Sequence, residues 1–135
     1  MRGNCEESMR KEKHSAWFAG SAQTVFNKYV RMRDVDLPCV SCGRTDKTSW
    51  DSGHFIDRAA CSALRYEPLN VHKECTDCNQ HCVDHLIGYR AELIKRIGLG
   101  QVLWLEGKHE QKRYTVAELK EIKRVYSVKL KALIK

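Results

Sequence analysis

The chain has 135 residues, 42% of them hydrophobic and 30% charged, which suits one globular domain with a modest core. No apolar run approaches a membrane span, and Met1-Arg2-Gly3-Asn4 leads into charges rather than a signal-peptide core, so neither a membrane nor a secreted protein is expected. A formal charge of +7 and a pI near 9.1 favour a polyanionic partner.

Residues 1–14 read as a polar, flexible lead-in, and 15–135 as a single domain. From about Ser15 to Arg33, Trp17, Phe18, Ala22, Val25, Phe26, Tyr29 and Val30 recur at helical spacing, within an N-terminal helical part assigned to 15–36 that Leu37-Pro38 stops. Residues 37–98 form a turn-rich core and a helix. Ser49 to Ile56 reads as a strand bending at Gly53; Leu64-Arg65-Tyr66 and Leu69 to His72 read as a second extended pair turned by Glu67-Pro68. A helix is expected from about Asn79 to Ile97, burying Leu86, Tyr89, Leu93 and Ile97 and ended by Gly98. Residues 99–135 are a basic helical part: Val102, Leu103 and Leu105 form a short apolar element, and Thr115-x-x-Glu118 is a capping box before a last helix. That helix should face inward through Val116, Leu119, Ile122, Tyr126, Leu130 and Leu133. Residues 111–135 carry eight basic side chains against two acidic ones, a footprint for phosphate backbones.

Seven cysteines could indicate disulfides, but four stand as Cys39-x2-Cys42 and Cys75-x2-Cys78 around a 32-residue insert. Two such knuckles deliver four thiolates to one tetrahedral zinc, a structural ion in a reducing compartment. Cys5, Cys61 and Cys82 fall outside the pattern. The staple gathers His54, Asn70 and the post-cysteine run Asn79-Gln80-His81 at one place.

Strand, strand, then a helix starting at a cysteine knuckle is the order of a ββα-metal, HNH-type nuclease site. His54 precedes Asn70 by sixteen residues and Asn70 precedes Asn79 by nine, intervals that resemble those of HNH nucleases. The fold class expected is therefore α+β, with a small HNH or treble-clef-like core stapled by zinc and flanked by helices. The resemblance sharpens over Arg33 to Gly43, Trp50-Asp51-Ser52-Gly53-His54-Phe55, Leu64-Arg65-Tyr66, Asn70 to Cys75, Cys78-Asn79-Gln80-His81 and Tyr89 to Gly98. These stretches strongly resemble the NinG (Rap) recombination endonuclease family of lambdoid phages, over roughly residues 15–130. That resemblance implies a phage enzyme in the host cytoplasm that nicks branched recombination intermediates, Holliday junctions and D-loops, with a divalent metal. Branched DNA and other phage recombination proteins are the implied partners. Longer relatives carry a basic N-terminal segment that this chain does not match. Where the family tends to have Lys-Ser-Gly-Asn after Cys-Asn-Gln-His, this chain has Cys82-Val83-Asp84-His85.

Phosphodiester hydrolysis needs a base for water and charge neutralisation at the phosphate. His54 is the expected base, since imidazole titrates near neutrality. Asn70 is expected to pin the loops within the catalytic set, and Asp51 and Asn79 to offer oxygen to Mg²⁺ or Mn²⁺. Many HNH sites place a ligand immediately before the base; Gly53 stands there, so either a bulge brings Asp51 in or roles are shared differently. His81 and His85 could complete the metal sphere, contact phosphate or sit in solvent, with His81 ranked first. His72 is expected to pack on the knuckle or touch DNA. Arg58, Arg65, Lys73 and Arg90, with Lys120, Lys123 and Arg124 of the last helix, are candidate phosphate contacts. Two opposed cuts at a four-way junction suit a two-fold homodimer. The alternative is a non-enzymatic zinc-ribbon DNA-binding module, which has no use for His54 or Asn79.

Overall fold

A computed structural model describes residues 3–134, with side chains from His14 onward. The chain is α+β and divides into two compact units, Met1–Tyr29 with Tyr114–Lys135, and Val30–Arg113.

In the first unit, helix α1 (Gly3–Arg33) starts at Gly3 rather than near Ser15. Residues 6–13 lack an apolar stripe, which is what suggested a lead-in, but their Glu, Lys and Arg are good helix formers. The side chain of Cys5 lies outside the described residues. Ala22 and Phe26 are buried as the stripe requires, whereas Trp17 is 62% exposed. The last helix, α4 (Val116–Ile134), opens with the expected capping box: Thr115 Oγ1 accepts from Glu118 N at 3.1 Å, and Glu118 Oε1 accepts from Thr115 N at 3.2 Å. Its Leu119 and Tyr126 are buried, and Tyr126 meets Phe26 edge-on at 4.8 Å. Leu133 stays exposed.

The second unit is built on two antiparallel strands, β1 (Trp50–His54) and β2 (Val71–Cys75). Their register runs unbroken from Trp50↔Cys75 to His54↔Val71, so no bulge displaces Asp51. The expected extended segment at Leu64-Arg65-Tyr66 is instead a 3₁₀ turn (Ser62–Leu64) and its exit, with a second 3₁₀ turn over Pro68–Asn70. Asn70 explains the coil. Fully buried, its amide donates to the carbonyls of Ile56 at 3.0 Å and Leu64 at 3.1 Å, and its Oδ1 accepts from Ile56 N at 2.8 Å. Three bonds from one side chain close the insert on itself. Asn70→Ala would leave buried backbone groups unpaired and should destabilise this unit by about 2–4 kcal/mol, read as a lower denaturant midpoint at unchanged slope.

Helix formation after Cys78 is also interrupted. One wide π-type turn (Asp77–His81) carries Cys78, the chain extends at Cys82, and α2 (His85–Ile97) starts only then. The break separates His81 from His85, which a continuous helix would have stacked one turn apart. A short α3 (Leu99–Glu106) follows. Val40, Phe55, Leu64, Tyr89, Leu93, Val102 and Leu105 form the core, joined by Cys61. Leu86, expected inside, is 41% exposed. Gly88 lets α2 close on the first knuckle, since a Cβ there would collide with the Ser41 carbonyl oxygen. At the end of α1, Arg33 donates to Asp34 and to the carbonyls of Pro68 and Val71, while Asp34 Oδ2 accepts from Lys73 N at 3.0 Å. Burial opposes the Asp34 charge, but Arg33 outweighs it and holds the carboxyl below its usual range.

Candidate functional site

The two knuckles converge. Cys39 and Cys42 come from the loop before β1, Cys75 from the end of β2 and Cys78 from the wide turn; their sulfurs all lie within 4.8 Å of one another. Cys42 and Cys75 sulfurs are 3.9 Å apart. A tetrahedral ion with Zn–S bonds of about 2.3 Å needs sulfurs about 3.8 Å apart, so the four cysteines could hold a metal such as zinc. Burial works against a Cys39 thiolate, yet backbone N–H groups of Cys42, Cys75 and Ser41 bring its pKa below the ordinary value. Burial and neighbouring thiols push Cys75 and Cys78 up, so a cation is what would favour these two as thiolates. Cys82 is exposed and outside this cluster.

Beside the knuckles lies a cleft of roughly 360 Å³ lined by Ser52, His54, Phe55, Asp57, Asn79, His85 and Leu86. His54, at the end of β1, puts Nε2 at 2.9 Å from the carbonyl oxygen of Arg65. A carbonyl only accepts, so Nε2 carries the proton and Nδ1 keeps the lone pair. Burial lowers the His54 pKa against the opposing effect of that hydrogen bond, and nearby Arg58 and Arg65 lower it further. The ring is therefore neutral at pH 7.

Asp51 sits behind Asn79. Its Oδ2 accepts from Asn79 Nδ2 at 2.9 Å and Gln80 Nε2 at 3.0 Å, and its Oδ1 from Thr76 Oγ1 at 3.1 Å. Asn79 is thereby fixed through its Nδ2, and its amide oxygen makes no hydrogen bond among the described residues. His81 is exposed at the end of the wide turn, and Asn70 is buried in the insert rather than lining the cleft.

Sequence reasoning passed over Glu74, which is fully buried on β2. Its carboxylate accepts from Ser41 Oγ and from His85 Nδ1 at 2.6 Å, and it fills the space a side chain at position 53 would need. Gly53 thus leaves room for that carboxylate, which would have to shift for a Cβ to fit there. All five residues of β2 are buried, so alternation along the strand could not single Glu74 out.

His72 does not face outward. It is 5% exposed and meets Tyr89, Nδ1 to hydroxyl 3.3 Å. Burial, helped by Arg33, pushes its pKa down to about 3. Between that value and an unfolded value near 6.5 only the unfolded chain takes up this proton, so the stability it gives is complete above about pH 6.5 and lost as pH falls towards 3. A His72→Gln variant should show a pH slope of unfolding free energy shallower by about 1.4 kcal/mol per unit around pH 5, measured by denaturant titration beside the parent chain.

The expected phosphate contacts divide. Arg58 is exposed and Arg65 half-buried, both near His54. Lys73 is 6% exposed, opposite Ser52 in the ladder, with its ammonium on the Val35 carbonyl at 3.2 Å and 4.1 Å from the centre of the Trp50 ring. Arg90 makes a two-pronged pair with Glu106. In the first unit, Lys120 and Lys123 lie over the rings of Phe18 and Trp17, and Arg124 pairs with Glu121.

The sequence pattern defining the family described as Bacteriophage Lambda NinG protein matches residues 2–135. The chain belongs to the NinG family. It is 44% identical over 121 residues to the NinG protein of Escherichia phage 933W and to that of Escherichia phage lambda, and 43% identical to that of Salmonella phage P22. Each alignment covers 90% of this chain, which spans about 60% of the length of these NinG relatives. No solved structure matches. Among the described residues no helix is long and apolar enough to cross a membrane.

Proposed function

We propose that this NinG-family chain is an HNH-type, metal-dependent endonuclease that nicks branched DNA, Holliday junctions and D-loops, in phage recombination within the host cytoplasm. The observation that carries this reading is His54: a neutral imidazole fixed through Nε2 to the Arg65 carbonyl, in one cleft with Asn79. Such a ring is a ready base. Water attacks phosphorus, His54 Nδ1 takes the water proton, the new P–O bond forms as the bond to the 3′ oxygen breaks, and that oxygen takes a proton from solvent. Arg58 and Arg65 hold the phosphate against the cleft. Asn79, turned by Asp51, offers an amide oxygen of the kind Mg²⁺ or Mn²⁺ accepts. When bound, that ion supplies charge neutralisation at the phosphate and at the departing oxygen. Asp51, with both oxygens already engaged by side chains, acts through Asn79.

The basic face of α4 adds affinity for the backbone through Lys120 and Lys123. Paired cuts call for a homodimer on the junction. A zinc-ribbon module that only binds DNA would leave the His54–Arg65 and Asn79–Asp51 pairs without a task. The test is a four-way junction against linear duplex of the same sequence. Nicks should form on the junction, require Mg²⁺ or Mn²⁺, and stop with EDTA; binding without nicks under either metal would return the chain to the zinc-ribbon reading.

A further inference from the structure

Glu74 and His85 are unspent by the chemistry above. A fully buried carboxylate is costly unless its oxygens find donors. One oxygen of Glu74 has Ser41 and His85; the other, Oε1, is buried with no hydrogen-bond partner among the described residues. Because a carboxylate accepts, Nδ1 of His85 carries a proton, so the lone pair of the neutral ring is on Nε2. His85 lines the cleft with His54 and Asn79, and its Nε2 has no hydrogen bond among the described residues.

Asn79 is built the same way. Its Nδ2 donates to Asp51, and its Oδ1 makes no hydrogen bond among the described residues. Two side chains of one cleft thus have their N–H groups taken by carboxylates, with an imidazole nitrogen and an amide oxygen to spare. A carboxylate behind a histidine is the usual second contact of a metal-bound imidazole, fixing its tautomer and raising its basicity.

We propose that His85, set by the buried Glu74, is a nitrogen ligand of the divalent ion in this cleft, alongside the Asn79 oxygen. The ion itself rests on the nuclease reading; the choice of His85 over His81 rests on the geometry. An imidazole in the set favours Mn²⁺ over Mg²⁺, which prefers oxygen and water.

The experiment is titration of the full, zinc-loaded chain with Mn²⁺, following free Mn²⁺ by electron paramagnetic resonance, with zinc content and circular dichroism as checks on the fold. The parent chain should bind one Mn²⁺. His85→Ala, at a partly exposed side chain, and Glu74→Gln should each bind about 10- to 100-fold more weakly, and His81→Ala like the parent. Parent-like Mn²⁺ affinity in a folded His85→Ala protein overturns the proposal, as does loss of binding in His81→Ala alone or no binding by the parent. Should Glu74→Gln fail to fold, His85→Ala decides. A parent chain that binds Mn²⁺ through His85 yet never nicks DNA would end the nuclease reading and keep this site. One that nicks while His85→Ala retains its Mn²⁺ would do the reverse.

Discussion

Serine in place of Cys39 or Cys78 is expected to unfold the Val30–Arg113 unit. Both sulfurs are buried, and Cys39 Sγ also accepts the backbone N–H of Cys75 at 3.3 Å and of Cys42 at 3.5 Å. The four sulfurs join three separate segments: the loop before β1, the end of β2, and the wide turn before α2. Without an ion these segments are held by a short two-stranded ladder, which is marginal alone. Structural zinc contributes on the order of 10 kcal/mol of folding free energy, comparable to the whole stability of a domain this size. Purified parent chain should carry close to one zinc, and either variant should lose both the zinc and the cooperative melt. Chelation of the parent should reproduce the loss. A zinc-free chain with an intact melt would remove the staple from the account of this fold.

His54→Ala should separate chemistry from architecture. Among the described residues the side chain makes one hydrogen bond, to the Arg65 carbonyl, and it lines the cleft, so its removal should leave zinc content, melting and junction binding near parental values. Cleavage should fall by about 10²–10⁴, the usual contribution of a positioned base. The pH profile of the parent offers a second reading. Since burial and the two arginines depress the His54 pKa, the neutral, base-competent ring is already the main form at pH 7. The rate should be flat there and decline on acidification only below the ordinary imidazole value, and that acid limb should vanish from the residual activity of His54→Ala. Asn79→Ala should also lose cleavage but regain part of it at high Mn²⁺, because a weakened site refills by mass action. Near-parental cleavage by His54→Ala would end its assignment as the base.

Much of this was legible in the chain because its signals are local. The CxxC spacing, the Thr115 capping box and the apolar stripes around Phe26 and Tyr126 each depend on a few neighbouring residues, and the structure carries all three. What sequence could not give depends on partners distant in the chain. Asp51 reads as a ligand by its chemistry, but the sequence does not show that Thr76, Asn79 and Gln80, more than twenty residues on, donate to its oxygens. Lys73 reads as a surface cation, but Asp34 and Val35 draw its backbone and ammonium inward. The helix expected from Asn79 is apolar enough to form; the wide turn at Cys78 delays it until His85, and that delay changes which histidine meets the cleft.

Gly53 and Glu74 also constrain how such a site can change over generations. A side chain gained at position 53 would meet the Glu74 carboxylate, so Glu74 would have to shift to admit a residue beside His54. Loss of Glu74 alone strands Ser41 and His85. The two positions are therefore expected to be non-additive: shrinking residue 74 makes the room that growth at 53 needs, so the double substitution should cost less than the sum of the two single ones.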